Sequence, residues 1–171
     1  VSLDQVADWL TGKGDLPDQA VAITLDDGYE DNYLNAFPIF ARHQVPATIF
    51  LVSGLMGASN RWMDGRGFSS RRLMTWEQAM ELDRDGITLG AHTATHVRLS
   101  ELNPEEAARE IRESKAQIEQ NLGHAIDHFA YPYGDLDDSA CRLVGEAGFR
   151  TACSTRPGPN RPNTDSLLLK R

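Results

Sequence analysis

Two carboxylates, Asp26 and Asp27, stand side by side in AITLDDGYEDNY (22–33), at the end of a short apolar run and just before Gly28. Adjacent like charges repel, so a partly buried pair calls for a cation or a proton to hold it. Two imidazoles, His92 and His96, stand four apart in AHTATH. At that spacing both lie on one face wherever the backbone turns helically, and both can reach one ion. One carboxylate and two histidines leave open positions on zinc, which suits a catalytic rather than a structural site. The same ligand triad suits non-haem iron, so ligand identity alone does not choose the metal. Taken singly, each fragment has an ordinary explanation. Asp-Asp-Gly after a strand is commonly a turn with a helix cap, and an isolated H-x-x-x-H is a weak metal signal. Their joint placement at strand ends is what points to a metal-dependent site.

The elements that must position these residues alternate along the chain. Apolar or β-branched runs occur at VAITL (21–25), ATIFLV (47–52), ITLGA (87–91), HFAYP (128–132), RTACS (150–154) and SLLLK (166–170). Helical patterns lie between them. DNYLNAFPIFARH has a helix-like apolar spacing that Pro38 bends or restarts. TWEQAMELDRDG opens with Thr75 and Gln78 at capping-box spacing and stops at Gly86. NPEEAAREIRESKAQIEQNLG is capped by Asn103, takes Pro104 in its first turn and ends at Gly123, with Ala107, Ile111, Ile118 and Leu122 on its apolar face. LDDSACRLVGEAG runs to Gly148. Strands alternating with helices predict a parallel sheet with helices outside it, open or closed into a barrel. In such folds ligands bind at the C-terminal ends of the strands, which is where DDG, AHTATH and AYPYGD fall.

Composition bounds the function. A chain of 171 residues with 40% hydrophobic content supports one sizeable core, so residues 1–171 read as a single domain. The net charge is −8, and the 17 Lys and Arg residues are scattered among acids, which argues against nucleic acid as a partner. The longest uncharged stretch, from His43 to Asn60, is broken by Pro46, Gly54 and Gly57 and does not read as a membrane span. Cys141 and Cys153 are too few for a disulfide framework and are expected to be unpaired and mostly buried. The chain opens on Val1 with no signal-peptide pattern, so a processed or shortened N-terminus is expected.

The motifs resemble those of the carbohydrate esterase family 4 polysaccharide deacetylases, the NodB homology domain. TLDDG (24–28) is similar to that family's TFDDG, HTATH (92–96) to its H-[ST]-x-x-H, and YPYG (131–134) to the core of its R-x-P-[YF]-G. The resemblance spans about residues 21–155 in the family's order. It implies a distorted (β/α) barrel of about seven strands, incomplete in this chain. It also implies one divalent ion, of zinc type with cobalt, iron or nickel as alternatives, and removal of N-acetyl or O-acetyl groups from a polysaccharide or oligosaccharide. Carried over, Asp26 is the general base, Asp27, His92 and His96 are the metal ligands, and an ion-bound water attacks the acetyl carbonyl. Pro132 and Tyr133 lie against the substrate, with the Tyr133 N–H supporting the oxyanion. The partner implied is an acetylated glycan, and the setting favoured is periplasmic or extracellular.

Departures from the family pattern matter as much. Ala130 stands where the third motif has an arginine that orients the base, so another group must position Asp26. The variant FAYPYG resembles the subgroup that includes deacetylases of exported poly-N-acetylglucosamine-type polymers. The fourth motif has no convincing match, and no L-x-H histidine occurs before Arg171. His43, His124 and His128 are expected at the opposite edge of the sheet. Residues beyond Arg171 are therefore expected to complete the barrel and bring the acid. A glycan-binding pseudoenzyme that keeps the fold without turnover is the alternative from another class. In the long loop 53–75, Trp62 offers a sugar-stacking surface, with ordinary loop packing as the competing role, as also for Phe68. Tyr29 is placed at the substrate or in the wall of the site. Trp76 is read as a helix anchor, and Arg71 and Arg72 as solvated.

Overall fold

A computed structural model describes residues 1–171. Five parallel strands form one sheet: β1 (Ile23–Leu25), β2 (Ala47–Leu51), β3 (Thr88–Ala91), β4 (His128–Ala130) and β5 (Thr151–Cys153). Their spatial order is β1-β2-β3-β4-β5, with every pairing parallel. A doubly wound sheet must reverse its strand order at a switch point. This one never reverses, so it winds in one direction and curls into a half-barrel. The sixth apolar run does not become a strand: Ser166–Leu168 form a 3₁₀ turn, and only Leu169 bridges in parallel to Cys153.

Alternation along the strands sorts side chains between two layers. Ile49 and Leu51 of β2, Leu89 and Ala91 of β3, Phe129 of β4 and Ala152 of β5 face the helices. There they meet α3 (Trp76–Arg84), α4 (Pro104–Leu122) and α5 (Asp138–Glu146) through Leu82, Ile111, Ile118 and Val144. Phe50, Ala130 and Cys153 face inward, where Leu3 and Val6 of α1 (Leu3–Leu10) and Leu169 join them. Helix α1, capped reciprocally by Ser2 and Gln5, is an element the sequence reading had not identified. It does not fill the interior, and a cavity of about 830 Å³ remains between α1, residues 16–24 and the segment after β5.

The helix punctuation follows the sequence. Thr75 and Gln78 form the expected capping box, and Trp76 opens α3 packed against the core. Asn103 caps α4, and Gly123 ends it in the left-handed conformation. The stretch around Pro38 splits into a π-helical turn at Asn32–Ala36 and α2 (Phe37–His43). Both cysteines are free, Cys141 half-buried in α5 and Cys153 buried in β5.

Gly90 shows how closely the inner face is packed at β3. A Cβ there would sit 2.7 Å from the His128 carbonyl oxygen and 2.7 Å from the Phe50 ring. Neither neighbour is free to move, so Gly90→Ala is expected to destabilise the fold by about 1–3 kcal/mol through overpacking. Urea denaturation checks this, with a lower midpoint at unchanged slope as the expected result.

Candidate active site

The strand order delivers three loops to one edge. Leu25 ends β1 and is followed by Asp26 and Asp27; Ala91 ends β3 and is followed by His92; Ala130 ends β4 and leads into Tyr131, Pro132 and Tyr133. The ligand atoms of Asp27, His92 and His96 lie within 4.8 Å of one another. The Nε2 atoms of His92 and His96 are 3.3 and 3.1 Å from the same oxygen, Asp27 Oδ1.

The donor inventory at this cluster fits a cation. His92 Nδ1 lies 2.7 Å from the Ala130 carbonyl oxygen, which can only accept, so Nδ1 carries the proton. With Nδ1 so engaged, Nε2 is the ring atom left facing Asp27 Oδ1, on the side where an ion would be shared. This carbonyl contact is the kind of outer partner that fixes the tautomer of a metal-binding histidine. Burial lowers the His96 pKa and outweighs the opposing pull of Asp27, so that imidazole is neutral near pH 7 with its ring available to an ion. Burial disfavours the Asp27 charge, yet the imidazoles of His92 and His96 against its oxygen hold the carboxyl far below the usual carboxylate range. Asp27, His92 and His96 can therefore hold a metal ion.

The backbone here is strained at and beside these three residues. Asp27, Thr93, His96 and Tyr133 have φ values of 73°, 61°, 62° and 61°. Left-handed non-glycine residues of this kind cost energy and persist only where their surroundings fix them. For the histidine loop the fixing groups are identifiable. The Glu110 carboxylate of α4 accepts from the Ala94 N–H (3.0 Å), the Thr95 N–H (2.9 Å) and the Thr95 hydroxyl (2.8 Å). The Thr93 hydroxyl accepts from the His96 N–H at 2.9 Å. Two histidines four apart thus meet on a turn clamped from a helix, rather than on a helical face.

Glu110 had no signal in the sequence, where it reads as one more acid on a solvated helix face. Glu110→Ala removes charge-assisted hydrogen bonds worth about 1.5–3 kcal/mol each, so amide exchange at Ala94 and Thr95 is expected to quicken at least about tenfold. Hydrogen-exchange NMR measures this directly.

Asp26 stays outside the metal-ligand group. Its two oxygens accept from Arg171, Oδ1 from Nη1 at 2.6 Å and Oδ2 from Nη2 at 2.8 Å. Arg171 is the second group the sequence reading missed, since nothing in the chain links two residues 145 positions apart.

Aromatic rings enclose the cluster. The Trp62 indole stacks on the His96 imidazole, with centroids 4.2 Å apart, and Tyr133 meets the same imidazole edge-on at 4.6 Å. Tyr29 lies 6.3 Å from Trp62 and accepts a hydrogen bond from Asn60 Nδ2 at 3.3 Å. Pro132 is buried in the 3₁₀ turn that carries Tyr133. Arg98 stacks on the Tyr133 ring at 4.2 Å. Trp62 and Tyr29 therefore wall the ligand cluster, whereas Phe68 is 67% exposed. Arg71 and Arg72 are exposed and pair loosely with Asp31 and Glu30.

The other histidines are elsewhere. His124 pairs with Asp83, and His128, the first residue of β4 and buried, pairs with Asp4 and Thr151 at the opposite end of the strands. His43 ends α2 on the surface.

A family model described as polysaccharide deacetylase matches residues 13–152. The chain belongs to the polysaccharide deacetylase family. Among this family's curated members it is 25% identical over 168 residues to the poly-beta-1,6-N-acetyl-D-glucosamine N-deacetylase of Staphylococcus aureus strain MRSA252, covering 93% of this chain and 56% of that protein. The solved structure of IcaB from Ammonifex degensii superposes with a TM-score of 0.86 at 26% identity, over 100% of this chain and 74% of that one. The Streptococcus pyogenes deacetylase PplD, solved in complex with acetate, gives a TM-score of 0.85 at 23% identity, over 100% and 71%. The half-barrel is thus the deacetylase fold in part, and the chain spans about half the length of the curated relatives it matches.

Proposed function

We propose that this chain carries the catalytic site of a metal-dependent deacetylase that removes acetyl groups from an N-acetylated or O-acetylated polysaccharide. The observation that carries the reading is the pairing of unlike surroundings at one strand end: Asp27 joins two histidines, while its neighbour Asp26 is held apart and oriented by Arg171. A binding site for a glycan needs no such second carboxylate; hydrolysis needs a base. A divalent ion held by Asp27, His92 and His96 would act as a Lewis acid on water and on the acetyl carbonyl.

The chain's own groups supply the rest. Asp26 takes the proton from the attacking water, and its remaining lone pairs are free to do so with both oxygens already bonded to Arg171. Tyr133, in its left-handed turn, presents the backbone N–H that the family's third motif offers to the developing oxyanion. Trp62, Tyr29 and Tyr133 form an aromatic wall against which a sugar ring can stack. The named activity of the Staphylococcus aureus relative supports a β-1,6-linked N-acetylglucosamine polymer as the first substrate to try. Action on such a polymer would call for a periplasmic or extracellular setting.

Acetate release from a panel of acetylated oligosaccharides tests the reading. Activity should vanish with a chelator and return with zinc, cobalt or iron added separately. Tight glycan binding without acetate release under every metal would favour the pseudoenzyme instead.

A further inference from the structure

We infer that Arg171 is the positioning residue for the base Asp26, performing from the segment after β5 the task that Ala130 leaves undone on β4. The inference rests on the deacetylase reading, in which Asp26 is the base. It comes from four contacts of one guanidinium. Nη1 and Nη2 donate to the two Asp26 oxygens at 2.6 and 2.8 Å, Nη1 also reaches the Thr24 hydroxyl at 3.3 Å, and Nε donates to the Ser154 carbonyl at 2.9 Å. Asp26 is thereby gripped in the parallel two-point geometry that fixes the plane of a carboxylate as well as its place.

The anchor of that grip is independent of Asp26. The Arg171 backbone N–H donates to the Arg156 carbonyl at 2.9 Å, and the Leu169 N–H to the Ala152 carbonyl at 2.9 Å. Leu169 is buried, and its carbonyl accepts from both the Ser154 N–H and hydroxyl at 2.8 Å. The segment is therefore stitched to β5, and the guanidinium spans from there to β1, joining the first and last strands across the mouth of the half-barrel. This explains how Ala130 is tolerated. Its side chain shares the inner layer with Phe50, Cys153 and Leu169, so the room a longer residue would need is filled by the segment that delivers Arg171.

A lysine cannot reproduce the arrangement, because one ammonium offers a point charge where a planar fork is needed. Misplacement of a reacting group by about 1 Å can cost about a hundredfold in rate. Arg171→Ala is therefore expected to lower kcat by about tenfold to a hundredfold. KM for an acetylated oligosaccharide and the calorimetric zinc affinity should stay within about twofold, because Arg171 touches neither the ligand cluster nor the aromatic wall. Arg171→Lys should recover only a minor part of the loss, and added guanidinium salt should restore activity to Arg171→Ala in a saturable manner without affecting Asp26→Asn.

Asp26→Asn is the control that separates this proposal from the reading beneath it. Full activity in Asp26→Asn would overturn the base assignment. Loss in Asp26→Asn with none in Arg171→Ala would overturn the positioning role alone. A fall in zinc affinity as large as the fall in kcat, or a loss that guanidinium does not rescue while zinc binding and melting temperature are preserved, would likewise overturn it.

Discussion

Asp27→Ala is expected to abolish measurable zinc binding, whereas Asp26→Asn is expected to keep the ion and lose about two or more orders of magnitude in turnover. The geometry behind this split is asymmetric. Asp27 Oδ1 is the point on which both Nε2 atoms converge, at 3.3 and 3.1 Å, while Asp26 faces Arg171. Removing Asp27 leaves two imidazoles, too few donors for a closed grip on a divalent ion. Changing Asp26 to its amide preserves shape and hydrogen-bonding reach but removes the basic lone pair at the working oxygen. Calorimetry with zinc on the metal-free proteins, beside acetate release on the reloaded ones, checks both halves. Equal loss of metal in the two variants would merge or reverse the roles.

The second large effect concerns leaving groups. In residues 1–171 no histidine other than His92 and His96 reaches the ligand edge, because His124 and His128 are held by Asp83 and Asp4 at the far end. An amine leaves a tetrahedral intermediate poorly unless protonated, whereas an alkoxide is the better leaving group. General-acid catalysis contributes about 10²–10⁴-fold, so this chain should cleave O-acetyl esters with a preference over N-acetyl amides of that order relative to an enzyme with the acid in place. Paired pH–rate profiles on O-acetylated and N-acetylated oligosaccharides decide it. Full N-deacetylation, with a basic limb that survives replacement of His43, His124 and His128, would locate the acid in another group of the chain.

Several features were legible in the sequence because their causes are local. The capping box at Thr75 and Gln78, the Asn103–Pro104 start and the Gly123 stop are set by groups within one helical turn, and each appears where its spacing places it. The convergence of Asp27, His92 and His96 was also legible, since strand ends in a parallel α/β order must collect at one edge. Helix α1 was not, because its amphipathic face buries only Leu3, Val6 and Ala7 and gains meaning only once an inner layer exists to receive it. SLLLK reads as a strand by composition, yet the sheet pairs it only at Leu169. Hydrogen-bond register, and not side-chain preference, decides how far a ladder extends.

The groups that finish the site were decided by tertiary structure alone. Glu110 looks like any helix-surface acid until α4 is laid against the histidine loop, where its carboxylate meets two otherwise unsatisfied N–H groups of a left-handed turn. Arg171 looks like any other cation in the sequence until β1 and β5 become the two rims of one half-barrel and bring residues 24, 26, 154 and 171 within hydrogen-bond reach. Sequence by itself determined which residues can bind and which can take a proton, because those capacities belong to side-chain chemistry. The curl of the sheet determined which carboxylate faces the two histidines and which is clamped by Arg171, because that choice depends on what the segment after β5 places opposite each one.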